Sequence, residues 1–331
     1  MTEKNIPKIL FLSWAHDCSR SDNIARELAG KSYMVYYNFL GSNYFTVWLK
    51  YFLQIVKSFV LLLLNQPDVV FVMSPPIIAC VPVYLYCSIF KKPHVIDAHT
   101  GTFLHPRWRN KKSLTGFFVR RAYQTIVTND YLADIVRNFG GTPFLISDMP
   151  IKFPETASNG IELNGARRIV TMVNTFSPDE PYENFVSAAA QYSNVDFYIT
   201  GEIVLCDNSV LRKATRNVHF TDFLPGNTYG ELLRKSDLIC AFTMRDHTML
   251  RGAYEAIYLG KPLVLSNWDI LQKHFSEGAV HVDNTTDGIA DGIRQALENI
   301  EELTNNAIRL RDKKMLEWSK VKAELMNLLT V

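Results

Sequence analysis

Asp97 and His99 stand two positions apart at the end of the apolar run HVID, inside PHVIDAHTG (Pro93 to Gly101). A carboxylate or an imidazole at the end of a strand can take a proton from a hydroxyl. Asp97 can equally cap the turn that follows. A second group surrounds Glu255, in RDHTMLRGAYEAIYLGKPLVLSN (Arg245 to Asn267). Arg245 and Arg251 precede a helix start near Gly252, and guanidinium groups beside a helix N-terminus suit a phosphate. Glu255 has apolar neighbours on both sides, which favours a working carboxylate over one on a solvated helix face. A third group, His16, Asp17 and Arg20, follows the run KILFLSW, with Arg20 and Ser21 at a helix start that suits an anionic group.

These groups need a scaffold that gathers strand ends. Strand signals fall at Lys8 to Trp14, Tyr33 to Tyr37, Asp68 to Met73, His94 to Asp97 and Gln124 to Thr128. Helical patterns run from about Ser21 to Gly30, Val47 to Leu64, Ile77 to Phe90 and Asp130 to Phe139. The polar stretch Pro154 to Gly165 reads as a linker. The alternation restarts with strands at Arg168 to Val173, Asp196 to Thr200, Val218 to Thr221, Leu238 to Thr243, Leu263 to Leu265 and Ala279 to Val282. Helices around Tyr182 to Tyr192, Thr228 to Lys235 and Gly252 to Leu259 fall between them, and Thr286 to Leu329 is one charged helical run. Short apolar strands separated by helices predict an α/β protein of two doubly wound parallel-sheet, Rossmann-like domains facing across a cleft. The expected division is 1–155, a linker at 156–165, a second domain at 166–306 and a C-terminal helix at 307–331 packing back on the first. In such sheets ligands sit beyond the carboxyl ends of the strands.

The 331 residues are 47% hydrophobic and 21% charged, which excludes collagen-like, mucin-like and disordered chains and exceeds the usual single core. Five scattered cysteines without a CxxC spacing argue against a disulfide framework or a zinc site, and for a reducing compartment. The start lacks the long apolar core of a signal peptide, and the most apolar window, Phe59 to Leu64, is far below the roughly 20 residues of a membrane span. The expectation is a cytoplasmic chain with no spanning segment.

The net charge of +2 divides into +7 over residues 1–150 and −5 over 151–331, so the first half expects an anionic partner. Arg107, Arg109, Lys111 and Lys112 lie in the Trp-bearing loop HPRWRNKK. The nearby helix carries Trp48, Tyr51, Phe52, Ile55, Phe59 and Leu62 at helical spacing. That stripe is either core or, with the basic loop, a surface for anionic lipid headgroups. No motif that reads DNA or RNA accompanies the basic half, so no nucleic-acid partner is expected.

The segment around Glu255 resembles the donor-site signature of the family-four (group 1) glycosyltransferases, whose fold is GT-B. Glu255, Gly260, Pro262 and the strand Leu263 to Leu265 carry the likeness. Thr200-Gly201 after a strand, VHFTDFLP (Val218 to Pro225, with Phe223) and PHVIDAHTG add to it. The resemblance implies that Glu255 accepts hydrogen bonds from the ribose hydroxyls of a nucleotide sugar, most simply UDP-linked. The family's first Glu lies eight positions earlier, where this chain has His247. Asp246 can replace that carboxylate after a one-residue shift, or His247 and Thr248 can meet sugar hydroxyls directly.

The family's basic pair after the first strand of the second domain is also missing, since NTFSPDEPYENF (Asn174 to Phe185) holds no Lys or Arg. Arg245, Arg251 and the helix start at Gly252 are then left to neutralise the diphosphate, aided by Asn174, Thr175 and Ser177. Asp179 and Glu180 read as helix N-terminal carboxylates.

The resulting expectation is a glycosyltransferase of cell-surface polysaccharide synthesis, with a nucleotide sugar as donor substrate and no cofactor. No DxD pair follows a strand, so no metal is expected. Asp97, His99 and His247 are the catalytic candidates. His16, Asp17, Arg20, Arg107 and Arg109 would meet a lipid-linked saccharide acceptor at the inner, anionic face of the cell membrane. A nucleotide-sugar epimerase of the same fold and a non-catalytic partner subunit are the rival readings.

Overall fold

Residues alternate along the strands of the first half in a way that divides them between two apolar layers. Leu10, Leu12, Val70 and Val72 pack into one cluster, while Ile9, Phe11, Val69, Phe71 and Met73 pack into another. Both faces of a parallel sheet are therefore covered, as period-two side-chain alternation requires when no face meets water. The computed structural model describes residues 7–40, 44–154 and 167–329. They form two compact units, residues 1–149 with 318–331, and residues 150–317. The linker expected at 156–165 lies outside the described residues.

In the first unit the chain runs β1 (Ile9–Ser13), α1 (Ser19–Glu27), β2 (Lys31–Met34), α2 (Tyr44–Asn65), β3 (Val69–Ser74), α3 (Cys80–Phe90) and β4 (His94–Ala98). It continues through α4 (Thr100–Leu104), α5 (Pro106–Arg109), α6 (Lys112–Val119), β5 (Gln124–Val127), α7 (Asp130–Asn138) and β6 (Pro143–Leu145). The six strands are parallel in the order β2-β1-β3-β4-β5-β6. The three short helices between β4 and β5, and β6 itself, carry too little apolar periodicity to be foreseen.

The second unit holds β7 (Arg168–Met172), α8 (Tyr182–Ala189), β8 (Val195–Ile199), α9 (Asn208–Lys213), β9 (Val218–Phe220), α10 (Gly226–Lys235), β10 (Leu238–Ala241) and α11 (Arg251–Tyr258). It continues through β11 (Leu263–Ser266), α12 (Asp269–His274), β12 (Ala279–Val282), α13 (Thr286–Glu298) and α14 (Ile300–Leu329). Its strands are parallel in the order β12-β11-β10-β7-β8-β9. The direction of winding reverses beside β1 and again beside β7, so loops diverge at the carboxyl ends of β1 and β3 in one sheet and of β7 and β10 in the other.

Two expectations need correction. The C-terminal run is two helices, broken at Asn299, and the change of unit comes at Trp318, not at residue 307. Ala307 and Leu310 are buried among second-unit residues, whereas Trp318, Leu325 and Leu329 fill the first-unit layer against α1. There the Trp318 indole and Lys322 both donate to Glu27 Oε2, at 3.2 and 3.0 Å. The second correction concerns α2. Thr46–Asn65 is 20 residues long and apolar enough to cross a membrane by length and composition. It nevertheless serves as the crossover helix between two strands of one sheet, held by Leu62, Tyr51, Ile55 and Phe59 on the core and by buried Lys50, Gln54 and Ser58.

His94, the first residue of β4, is buried with Nε2 lacking a hydrogen-bond partner, and Tyr84 stands edge-on to its ring. Burial pushes its pKa down to about 4. Below about pH 6.5 the unfolded chain binds a proton that the folded chain refuses. Stability should therefore fall by about 3 kcal/mol between pH 6.5 and pH 4 from this group. Urea midpoints across that window should flatten in His94→Phe, and an unaltered slope would assign the loss elsewhere.

Candidate active site

At the carboxyl end of β4, Asp97 is 1% exposed and carries its charge among apolar strands. Arg20, on the first turn of α1, aims Nε at both carboxylate oxygens from 3.3 Å. His99 Nε2 lies 3.2 Å from Asp97 Oδ2. Burial by itself would raise the Asp97 pKa, but Arg20 and His99 outweigh it and hold the carboxyl below its usual value. The alternative of a turn cap does not fit, because Asp97 bonds to these two side chains and His99 occupies the N-cap of α4. Asp97 is thus an ionised, buried anchor, and the His99 side chain beside it is about one-third exposed.

Arg20 also donates to the Ile146 and Ser147 carbonyls, at 2.9 and 3.4 Å, and lies 4.0 Å from Asp148. Its guanidinium, expected to meet an acceptor phosphate, ties β1's loop, β4 and the end of β6 together. His16 and Asp17 are exposed on the loop after β1, with His16 edge-on to Tyr36. Arg107 reaches the Tyr51 hydroxyl at 3.5 Å. Arg109 lines a cavity of about 590 Å³ together with Phe103, Trp108, Lys112 and Phe139.

In the second unit the loops after β7 and β10 are joined by Asp179. One oxygen accepts from Thr243 Oγ1 at 2.8 Å, and the other pairs with Arg245 at 3.0 Å. Thr243 is itself held on every side: its N–H donates to Ser266 Oγ, and its carbonyl accepts from Trp268 Nε1 and Asn284 Nδ2. Asp246, His247 and Thr248 follow this anchored residue. His247 takes a left-handed backbone (φ +57), and its Nε2 lies 3.3 Å from Asp246 Oδ2. Thr248 donates to the Asp246 carbonyl at 3.4 Å.

Glu180 does more than favour a helix dipole. One of its carboxylate oxygens accepts from Thr175 N (2.9 Å), Thr175 Oγ1 (3.0 Å) and Ser177 N (2.8 Å). Those donors were expected to meet a diphosphate. They are engaged by an internal anion instead, so in this state the Asn174 to Ser177 loop does not present them. Thr200 is buried and accepts from Asn174 N at 3.0 Å. Gly201 has φ +112, and a Cβ there would stand 2.8 Å from the Asn174 carbonyl, so these two residues seat the loop. Phe223 projects into solvent.

Glu255 is 6% exposed. Arg251 Nε donates to Oε1 at 3.1 Å, and the buried Tyr229 hydroxyl of α10 donates to Oε2. Burial and the Glu255 charge raise the Tyr229 pKa well above its ordinary value, which keeps the phenol protonated as a donor. The start of α11 lies against the end of β7, because at Gly252 a Cβ would meet Val173 at 2.7 Å. Tyr229, 26 residues away in sequence, left no signal by which to find it. Asp179 and Glu180 were visible as acidic residues, but their partners were not.

Two doubly wound parallel sheets, each with polar side chains gathered at strand ends, give the GT-B fold. Residues 155–311 match the model of the family described as glycosyl transferases group 1. Sucrose-phosphate synthase from Thermosynechococcus elongatus is similar over 97% of this chain and 98% of its own, with a TM-score of 0.73 and 12% identity. Anabaena HepE in complex with UDP and glucose is similar over 98% and 99%, with a TM-score of 0.71 and 13% identity. MnaA of S. aureus, in a structure with UDP, has a TM-score of 0.61 at 11% identity and covers 98% of each chain. No curated protein matches the chain in sequence.

Arg20→Met would leave the Asp97 carboxylate buried without its main counter-charge, which costs about 3–5 kcal/mol. Because the folded pKa of Asp97 is depressed, its contribution is present above the unfolded value near 3.9 and is lost as pH falls through the folded one. Urea denaturation at neutral pH should show the full loss in Arg20→Met. Wild-type stability in that variant would contradict the pairing.

Proposed function

We propose that this chain transfers a sugar from a UDP-linked donor to a hydroxyl of a lipid-linked glycan, in cell-surface polysaccharide synthesis. The observation that carries the reading is Glu255. It is a buried, doubly supported carboxylate at the start of α11, beside the strand ends where the sheet reverses its winding, within the group 1 segment. Anabaena HepE, of the same fold, is described in complex with UDP-glucose.

In this reading Glu255 accepts from the two ribose hydroxyls. Arg245 and Arg251, about half and one-third exposed, turn toward the diphosphate and exchange part of their pairing with Asp179 and Glu255 for phosphate oxygens. Asp246, His247 and Thr248 meet the sugar. The first unit takes the acceptor. His99, oriented by Asp97, removes the proton as the acceptor oxygen bonds to the anomeric carbon. The bond from that carbon to the diphosphate oxygen breaks, and the nucleoside diphosphate leaves with its electron pair. Guanidinium groups supply the positive charge, so no metal enters the scheme. The chain works at the cytoplasmic face of the membrane, peripherally attached.

Calorimetry with UDP tests the donor half. Glu255→Ala should weaken binding by about 1–3 kcal/mol, as when one partner of a charged hydrogen bond is removed. Arg245→Ala should weaken UDP more than uridine. Unchanged UDP affinity in Glu255→Ala sinks the assignment. Incubation with labelled UDP-sugars and a membrane extract then tests the reaction: label must enter the lipid fraction, whereas sugar interconversion alone would make the chain an epimerase.

A further inference from the structure

α2 buries a polar stripe beside an apolar one. Lys50, Gln54 and Ser58 recur every four residues and all are buried, next to Leu62, Tyr51, Ile55 and Phe59, which pack on the core. Each has a partner. Lys50 Nζ sits 3.8 Å above the Tyr36 ring, Gln54 Nε2 donates to the Val35 carbonyl at 2.6 Å, and Ser58 Oγ accepts from Trp14 Nε1 at 2.9 Å. Asn65, at the end of the helix, accepts from Tyr33 Oη at 3.0 Å and, through its carbonyl, from Lys8.

The outward stripe is apolar. Trp48, Leu49, Phe52, Val56, Val60 and Leu64 are all exposed, with Trp48, Phe52 and Leu64 at 62%, 61% and 76%. At about 100° per residue they fall within one arc of about 160°. α3, packed beside α2, adds exposed Leu85, Ile89 and Phe90. This arc is a second apolar stripe, additional to the one packed on the core, and a helix of a soluble domain ordinarily turns a polar face to water. An apolar face of this extent marks a contact surface.

The charge around it selects the partner. Between residues 28 and 129 there are eleven lysines and arginines and only two aspartates. Asp97 is buried against Arg20, and Asp68 is paired with Lys92 at 2.8 Å. Lys57 lies on α2 itself, Lys91 ends α3, and Arg107 bonds to Tyr51 of α2 at the head of the basic loop. A symmetric contact between two copies would set this basic rim against itself. An anionic lipid surface complements it, at about 1 kcal/mol for each basic residue near the headgroups.

We propose that the outward faces of α2 and α3 form an in-plane docking surface for an anionic phospholipid leaflet. Their apolar side chains enter the headgroup–acyl boundary by about 5–10 Å. α2 lies in the interface and does not span it, because its buried polar stripe and its place between β2 and β3 keep it on the sheet. The proposal deepens the acceptor side of the function above and rests on that reading for the acceptor's location, though the docking itself is argued from this surface alone.

The test uses the full chain with vesicles of phosphatidylglycerol and phosphatidylcholine, against phosphatidylcholine alone. Wild type should co-sediment with the anionic vesicles at low salt, and much less with the neutral ones. Substituting Trp48→Ser, Phe52→Ser, Val56→Ser and Val60→Ser together, all at exposed positions, should lower vesicle affinity by about a hundredfold or more. Its urea midpoint and its UDP affinity by calorimetry should match wild type. A wild type that ignores anionic vesicles at low salt, or a fourfold variant that binds them equally well, overturns the proposal. So does a wild-type dimer in vesicle-free sedimentation that the variant abolishes, since the face would then be a self-interface. Loss of UDP binding in every form would instead strike the donor assignment and leave the docking result standing.

Discussion

A charge placed inside a protein has to be matched where it sits, and Asp97 is the residue for which this matters most. It lies in the middle of a parallel sheet, on a strand whose neighbours are apolar on both faces. Without Arg20 its ionised form would face a desolvation cost of several kcal/mol. The guanidinium that answers it also holds the carbonyls of residues 146 and 147. One pairing thus fixes α1, β4 and the exit from β6, and presents His99 at the rim. The remaining polar chemistry of the first unit is arranged around that pairing.

The second unit solves a similar problem with three carboxylates. Asp179 binds the β10 loop to the β7 loop, Glu180 closes the β7 loop on itself, and Glu255 is shared by Tyr229 and Arg251. Glu180 raises a specific chemical point. Backbone N–H groups at a strand end attract whatever anion is near, and here the chain supplies its own. Burial raises the Glu180 pKa above its ordinary value, and the bonds from Thr175 and Ser177 oppose that rise and hold the carboxylate. Arg245 and Arg251 are about half and one-third exposed and pair with Asp179 and Glu255.

The pattern of α2 follows from the same rule. Lys50, Gln54 Nε2 and Ser58 are buried against the Tyr36 ring, the Val35 carbonyl and the Trp14 indole. With the inward arc shared by that stripe and by Tyr51, Ile55, Phe59 and Leu62, the remaining apolar side chains of this helix face outward. Stability and surface character are thus set together, since moving the apolar stripe inward would leave Trp14 and Val35 without their polar partners.

The alternation of short apolar strands with longer helices was enough to establish two doubly wound sheets, because period two and period 3.6 are local properties of the chain. Glu255, Arg245 and Arg251 were legible for a similar reason: they lie within eleven residues, at a helix start that follows a strand. What each side chain is bonded to was not legible. Asp97 and Arg20 are 77 residues apart, Asp179 and Thr243 are 64 apart, and Tyr229 meets Glu255 from another helix. The aromatic stripe of α2 showed the same limit. The sequence marked Trp48, Phe52 and their neighbours as apolar at helical spacing, but which face of the helix turned to the sheet depended on hydrogen-bond partners in β1's and β2's flanking residues. Local patterning decides which elements form. Only folding brings distant donors and acceptors within 3 Å, and at that distance a residue becomes either an anchor or a reactive group.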